Sequence, residues 1–514
     1  MVSNTLKITV CPMSPVGPGV CTTAVSSPSS MCLHDMEISL DQKSYGASVK
    51  ELVVMAIPNM LAFMASFAVN MITFACLSAM DQPKLLGAVG LGSLIGNLFG
   101  FAIGIGLTGV LDTLVSQAVG ACNPELSVIH LNRARIISLI VTFPCFCLMW
   151  VSEPLLILAR QDAETSALAG LFVQGTCWGL LPYFYCNALN SYMRCYGNTL
   201  PPVVINVVTS VLHGGISYIA INRWGMGAYG AGLCISLTNW VRWILSEAAM
   251  LMYPETRLAL RWTPRALNWV GIINYVSLAC SNSTLLWIEW GAYELQAMIA
   301  GWVGTEGLAS HVAGANVVTA VFMGAIGISQ SAAALVGISL GKRKPNTAKA
   351  FAISSLSFTA VLYTLIGISI IVWRASMSTL ISSDPVVIDT LHQLLIVVGI
   401  FSIIDAVNGV GEGVLRGMGL QPKAVIFKMV GMLCVRLPLG YYLSLDMGVT
   451  GIWIGAIAGM LCSCAGFCNV IQQASFYECS EQAIARQDEE KYHQNSLLEP
   501  FNPKCDNPLN TTQI

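Results

Sequence analysis

Long apolar runs separated by short polar breaks dominate the chain from Glu51 to about residue 474. A hydrocarbon layer about 30 Å thick takes on the order of 20 helical residues to cross. Twelve runs reach or approach that length, over residues 51–78, 86–112, 136–152, 166–188, 201–221, 229–253, 270–299, 307–336, 350–373, 388–414, 424–444 and 449–474. Lipid offers no partner to open backbone N–H and C=O groups, so each run is predicted to be an α-helix, and runs this long exceed the strands of a membrane barrel. Residues 1–46, rich in Ser, Pro, Thr and Cys, lack a charged start followed by an apolar core. They predict a disordered tail rather than a secretory signal, and 477–514 reads as a polar tail. Between the tails the runs divide into six-helix lobes over 47–255 and 256–476.

Hydrophobic residues make up 55% of the 514 and charged ones only 10%, against roughly 25% charged in soluble domains. Water alone cannot solvate such a chain, so an integral membrane protein is expected. A formal net charge of −2 shows no basic excess and removes the compositional case for nucleic acid. The 18 cysteines are scattered through apolar runs without paired metal spacings and read as small packing residues. No metal site and no cofactor is expected. With the N-terminus inside, cytosolic loops hold Arg133, Arg135, Arg194, Arg257, Arg261, Arg265, Lys342, Arg343, Lys344, Lys349, Arg416, Lys423 and Lys428, while the opposite loops hold Lys84, Arg160, Arg223 and Arg374. The positive-inside rule then puts both termini in the cytosol. The glycosylation triplet at Asn510 would stay unmodified, and the one at Asn282 falls inside a helix.

The chain repeats itself. Tyr192-Met-Arg194-Cys-Tyr-Gly197 with Pro201 resembles Val414-Leu-Arg416-Gly-Met-Gly419 with Pro422, and Gly227 and Gly230 recur as Gly448 and Gly451, offsets of 221 or 222. Gln117-Ala-Val-Gly120 echoes Ala334-Leu-Val-Gly337 at 217. Six spans return the chain to its starting side, so the two units share an orientation and should relate by an axis along the membrane normal. A central cleft between them is the natural substrate path.

Four segments stand out: Leu111-Asp112-Thr-Leu-Val-Ser116-Gln117-Ala-Val-Gly120, Glu289-Trp290-Gly-Ala-Tyr293-Glu294, Asp405-Ala-Val-Asn408-Gly-Val-Gly-Glu412-Gly-Val-Leu-Arg416-Gly417-Met-Gly419 and Leu437-Pro438-Leu-Gly440. Together they resemble the multidrug and toxic compound extrusion (MATE) transporters of eukaryotic type. The resemblance covers about 51–474. Gly291 departs from it, standing where eukaryotic members usually carry a second Trp. The resemblance implies an all-α integral membrane fold of twelve transmembrane helices in two six-helix repeats. It also implies a non-enzymatic antiporter that exports organic cations, xenobiotics or metabolites in exchange for protons, with sodium as the other candidate ion. Its proton-coupling pair would be Glu289 and Asp405. A monomer is expected, in the plasma membrane or a vacuolar or vesicular membrane.

Intramembrane charge gives these residues a physical reason to matter. An ionised carboxylate at bilayer depth costs roughly 2.5–3.5 kcal/mol even on insertion scales, whereas a protonated one avoids most of that cost. Asp405, Asn408 and Glu412, spaced i, i+3, i+7, share one helical stripe. Glu289 and Glu294, at i, i+5, face different ways. Glu294, Trp290, Tyr293, Asn408 and Glu412 are the candidate substrate contacts, the aromatic rings offering π faces to a cation. The competing reading pairs the acids with Arg436 or backbone donors, fixing helix packing alone. Arg436 is expected either to pair with Glu412 or Asp405 or to snorkel to the boundary. Asp112 reads as a gate or helix-end hydrogen bond outside the coupling site. His213 and His311 read as packed hydrogen-bonding groups. The glycines from Gly87 to Gly106 read as a close-packing helix face and not a phosphate loop. A flippase for lipid-linked substrates is the alternative in the same superfamily, but phosphates would call for bases where this chain has acids. A channel lacks a filter-like segment, and an intramembrane enzyme lacks a nucleophile–base set. A receptor or scaffold would not explain acids in both the seventh and tenth helices.

Overall fold

A computed structural model describes residues 45–496 apart from 81 and 383, with side chains described to residue 488. Residues 1–44 of the expected tail, and Asn510, lie outside the described residues. Twelve long helical elements follow one another: α1 Tyr45–Ser78, α2 Pro83–Gly120, α3 Pro124–Trp150, α4 formed by Ala163–Cys177 and Leu180–Cys195, α5 Leu200–Arg223, α6 Gly227–Met252, α7 Trp269–Val303, α8 Thr305–Gly341, α9 Pro345–Val372, α10 Pro385–Met418, α11 Gln421–Met447 and α12 Val449–Gln473. Among the described residues, nine of these are long and apolar enough to cross a membrane unaided, and α4 joins them if its two pieces count as one span. The other two, α6 and α7, carry Arg242 and Glu247, and Glu289 and Glu294, inside their apolar stretches.

Local chemistry explains the irregularities. The pieces of α4 meet at 51°. Pro182 there has no N–H for the preceding turn, and a side chain at Gly179 would collide with Ser236. In α11 a wide π-helical stretch over Val430–Arg436 precedes Pro438, relieving the clash and lost bond that proline imposes on an α-turn.

Backbone geometry shows the repeat. Gly197 and Gly419 close α4 and α10 at φ 79° and 76°, and Gly227 and Gly448 take φ 55° and 59°. Cys122 and Arg343, 221 apart, take φ 56° and 57° in the turns after α2 and α8. Gly120 therefore corresponds to Gly341 and not, as the offset of 217 suggested, to Gly337. Four residues are close to one helical turn, so the slipped alignment presents the same face. The two glycines also meet: a side chain at Gly120 would strike the Ile338 carbonyl, and one at Gly341 the Gln117 carbonyl.

Contacts between the lobes run from mid-depth toward the face where α1 begins. Trp287 donates to the Leu98 carbonyl (2.8 Å), Asn282 to that of Gly106 (2.8 Å), Asn59 to Ser331 (2.8 Å) and Thr113 to the Arg416 carbonyl (2.6 Å). The first part of α2, Pro83–Gly96, instead packs on its own lobe through Phe172 and Val173 of α4. The cleft is thus closed on the face carrying both described chain ends. The polar segment after α12 forms a helix, α13 Phe476–Ser496. Its stripe of Cys479, Ala483 and Gln487 is buried. Ser480 donates to the Leu340 carbonyl (2.9 Å) and Arg486 to Gln117 Oε1 (3.1 Å), so α13 ties α8 to α2.

Candidate functional site

Helices α7, α10 and α11 bring charged side chains together deep in the C-terminal lobe. Lys428 Nζ lies 2.6 Å from Glu289 Oε2 and 3.1 Å from Glu412 Oε2. One turn along α10, Arg416 Nη2 donates to Glu412 Oε1 (3.1 Å) and its Nε to Asn282 Oδ1 (3.2 Å). Arg416 Nη1 also approaches Asp112 Oδ2 of α2 (3.8 Å), and Asp112 Oδ1 accepts from Arg194 Nη2 of α4 (2.7 Å). Six buried charges thus alternate in sign from Arg194 through Asp112, Arg416, Glu412 and Lys428 to Glu289. Any one alone would carry a desolvation penalty of several kcal/mol, and alternation offsets it.

Lys428 is the residue the sequence reading misplaced. Expected in a cytosolic loop, it is 1% exposed, because α11 starts at Gln421 and carries Lys428 two turns into the bundle. Arg133, Arg194 and Arg416 are buried as well, so the loop bias falls to nine against four.

Asp405 is buried, forms no ion pair among the described residues, and leaves Oδ1 without a hydrogen-bond partner. Glu289, Lys428 and Arg436 lie within electrostatic reach of it. It shares a stripe with Glu412 but sits about 10 Å away along the axis. Between them, Asn408 Nδ2 contacts Met460 Sδ (3.1 Å), turning toward α12. Arg436 neither pairs with Glu412 or Asp405 nor snorkels: it is 1% exposed. Its Nε donates to Gln296 Oε1 (2.8 Å), and its guanidinium lies 4.0 Å from the Tyr293 ring centre. The wide turn ending at Arg436 directs it inward to α7. Glu294 is half-buried and has no ion-pair partner among the described residues, and Trp290 is half-buried on α7. The structure thus joins Glu289 to Glu412 through Lys428, seats Arg436 on Tyr293, and leaves Glu294 apart. Sequence reasoning missed Lys428 and Gln296; two bases eight residues apart in one apolar run, Lys428 and Arg436, were the available signal.

A shift of 222 carries Asp405, Glu412, Arg416 and Lys428 onto Tyr183, Asn190, Arg194 and Asn206. These four line one cavity in the N-terminal lobe, with Asn59, Ser66, Asn187, Asn239 and Arg242. Its water-sized space of about 40 Å³ suits roughly three waters. His213 beside it is held by Thr73 (2.8 Å) and Thr238 (2.7 Å). His311 packs its ring on Trp453.

Two six-helix repeats, a cleft closed at one face and a buried ion-pair chain spanning both lobes define a membrane transporter rather than an enzyme. The family model MatE matches residues 58–219 and 286–442, and the chain belongs to this transporter family. It is 27% identical over 445 residues to multidrug and toxin extrusion protein 1 of Xenopus tropicalis, covering 86% of this chain and 77% of the relative. To the Homo sapiens protein of that name it is 24% identical, covering 86% and 77%. Among solved structures, the eukaryotic MATE transporter AtDTX14 superposes with a TM-score of 0.81 at 19% identity, covering 86% of this chain and 99% of that one.

Proposed function

We propose that the chain is a secondary antiporter exporting organic cations in exchange for protons by alternating access. The observation that carries this reading is the unequal satisfaction of three buried acids. Among the described residues, Glu412 is held by two cations, Glu289 by Lys428 alone and Asp405 by none. Glu412 then serves as a fixed anion, while Asp405 and Glu289 take up and release protons. A dehydrated carboxylate attracts a cation strongly, and protonation abolishes that attraction. Lys428 acts as an internal cation that a substrate or proton displaces from Glu289 toward Glu412. Because Arg436 already covers Tyr293, Trp290 offers the freer π face, with Asn408 and Glu294 as polar contacts at the edge of the site. The names of the relatives, multidrug and toxin extrusion, support xenobiotic cargo.

In the opposite conformation the Asp112–Arg416 and Thr113–Arg416 contacts would part, opening the face that carries both chain ends. The loop bias of nine against four supports a cytosolic assignment for that face, in a plasma, vacuolar or vesicular membrane. One chain supplies both lobes and the whole cleft, so a monomer suffices. A pH unit is worth about 1.4 kcal/mol per proton, so electroneutral exchange with a monovalent cation accumulates it roughly tenfold per unit. Proteoliposomes loaded with a radiolabelled tetraalkylammonium test this under imposed pH or sodium gradients. Flux driven by pH is expected; flux driven by sodium at clamped pH, or by neither gradient, overturns the coupling. In intact cells an impermeant thiol reagent should miss a cysteine placed at Lys344 and label one at Glu306.

A further inference from the structure

In the C-terminal lobe Arg416 and Lys428 are balanced by acids, whereas the corresponding cavity of the N-terminal lobe has none in its lining. Arg242 of α6 lines that cavity and is 6% exposed. Its Nε donates to Thr209 Oγ1 (3.1 Å) and its Nη1 to Ser66 Oγ (3.1 Å), while Nη2 has no partner. Arg194, 4% exposed, gives Nη2 to Asp112 and Ser191, and its Nε has no partner. Two guanidinium groups that line one cavity therefore each carry an N–H donor without a partner. None of its lining residues is a carboxylate, and Arg242 forms no ion pair among the described residues. Its ionisable neighbours include Cys186, Tyr183 and His213, none of them a carboxylate.

A guanidinium stays charged in a protein, and a buried charge without a counter-ion is heavily penalised. We propose that this cavity binds a small anionic group, chloride or the carboxylate of a solute, on Arg242 Nη2 and Arg194 Nε. Ser66 accepts from Arg242 and keeps its own O–H to donate. Asn190 Oδ1 is also unpartnered, and a half-turn of that amide presents Nδ2 to the anion instead. The cavity's 40 Å³ accommodates the charged group and not a whole drug-sized anion. The cavity lies in the N-terminal lobe and meets the ion-pair chain only at Arg194, so the transporter holds a cation-attracting centre in one lobe and an anion-attracting one in the other.

Binding of radiolabelled chloride and radiolabelled acetate to purified full-length protein, in sodium isethionate at constant ionic strength, tests the proposal. At least one should bind saturably. Chloride binding that acetate does not displace identifies a halide site, and mutual displacement identifies a carboxylate-accepting one. Arg242→Gln should weaken binding at least about tenfold, the value of a charge-assisted hydrogen bond, and Glu289→Gln should leave it unchanged. Saturable binding of neither anion to the unmodified protein overturns the proposal whatever the variants do, as does equal binding by Arg242→Gln. If Arg242→Gln does not fold, Ser66→Ala should lower affinity, and unaltered binding there counts against the site.

Discussion

In the C-terminal lobe, Asp405, Glu412, Arg416 and Lys428 place two acids and two bases on α10 and α11, with Glu289 of α7 completing the set. The matching positions of the N-terminal lobe hold Tyr183, Asn190, Arg194 and Asn206. Backbone geometry at the repeat-related glycines agrees within a few degrees of φ, so the scaffold is symmetric while its electrostatics are not. Only Arg194 and Arg416 are chemically alike, and both reach the single acid Asp112. A shared carboxylate between two symmetry-related cations makes a closing contact between lobes, while in the proposed exchange Asp405 and Glu289 confine proton handling to the C-terminal lobe.

The largest test of this asymmetry is transport itself. Glu289→Gln or Asp405→Asn should remove the pH-driven component of uptake, roughly a tenfold loss per imposed pH unit, with the protein still inserted. Asn190→Asp in the N-terminal lobe should not restore it. Normal pH-driven flux in both C-lobe variants would erase the distinction between lobes.

Stability gives the next contrast. Lys428→Met leaves Glu289 without its counter-ion and Glu412 with Arg416 alone, and should cost about 3–5 kcal/mol, measured by denaturant unfolding in detergent. Adding Glu412→Gln should recover part of that loss. Asn206→Leu, at the matching position, should cost no more than about 1–3 kcal/mol. Equal losses would mean that Lys428 acts as packing and not as a counter-ion.

Asp112→Asn weakens the contact the lobes share and should cost about 2 kcal/mol. Native Cys195, fully buried and bonded to the Leu111 carbonyl, should then become reactive toward a thiol reagent, read by mass spectrometry. Unchanged protection would remove Asp112 from the gate. The smallest effect sharpens the Arg436 assignment. In a double-mutant cycle, Arg436→Ala and Gln296→Leu should couple by 0.5 kcal/mol or more, whereas Arg436→Ala and Glu412→Gln should add within about 0.5 kcal/mol.

Hydropathy by itself predicted long helices in lipid, since twenty apolar residues there have few other ways to satisfy their backbone. Recurring glycines and arginines determined the two-fold repeat, and the cost of charge in lipid singled out Glu289, Asp405 and Glu412. Partner choice was not legible, because it depends on where three helices turn their faces. From sequence, Lys428 reads as a cytosolic loop cation and Arg436 as either paired with an acid or snorkelling to the boundary. Packing carried Lys428 between Glu289 and Glu412, and the wide turn before Pro438 swung Arg436 onto Tyr293 and Gln296. The repeat offset slipped by one turn for the same reason: a helix shows the same face every four residues, and only the contact of Gly120 with Gly341 across the lobes fixes the register. One-dimensional pattern counts how much charge is buried; tertiary structure decides which charges neutralise one another, because electrostatic energy depends on distances that only the assembled helices define.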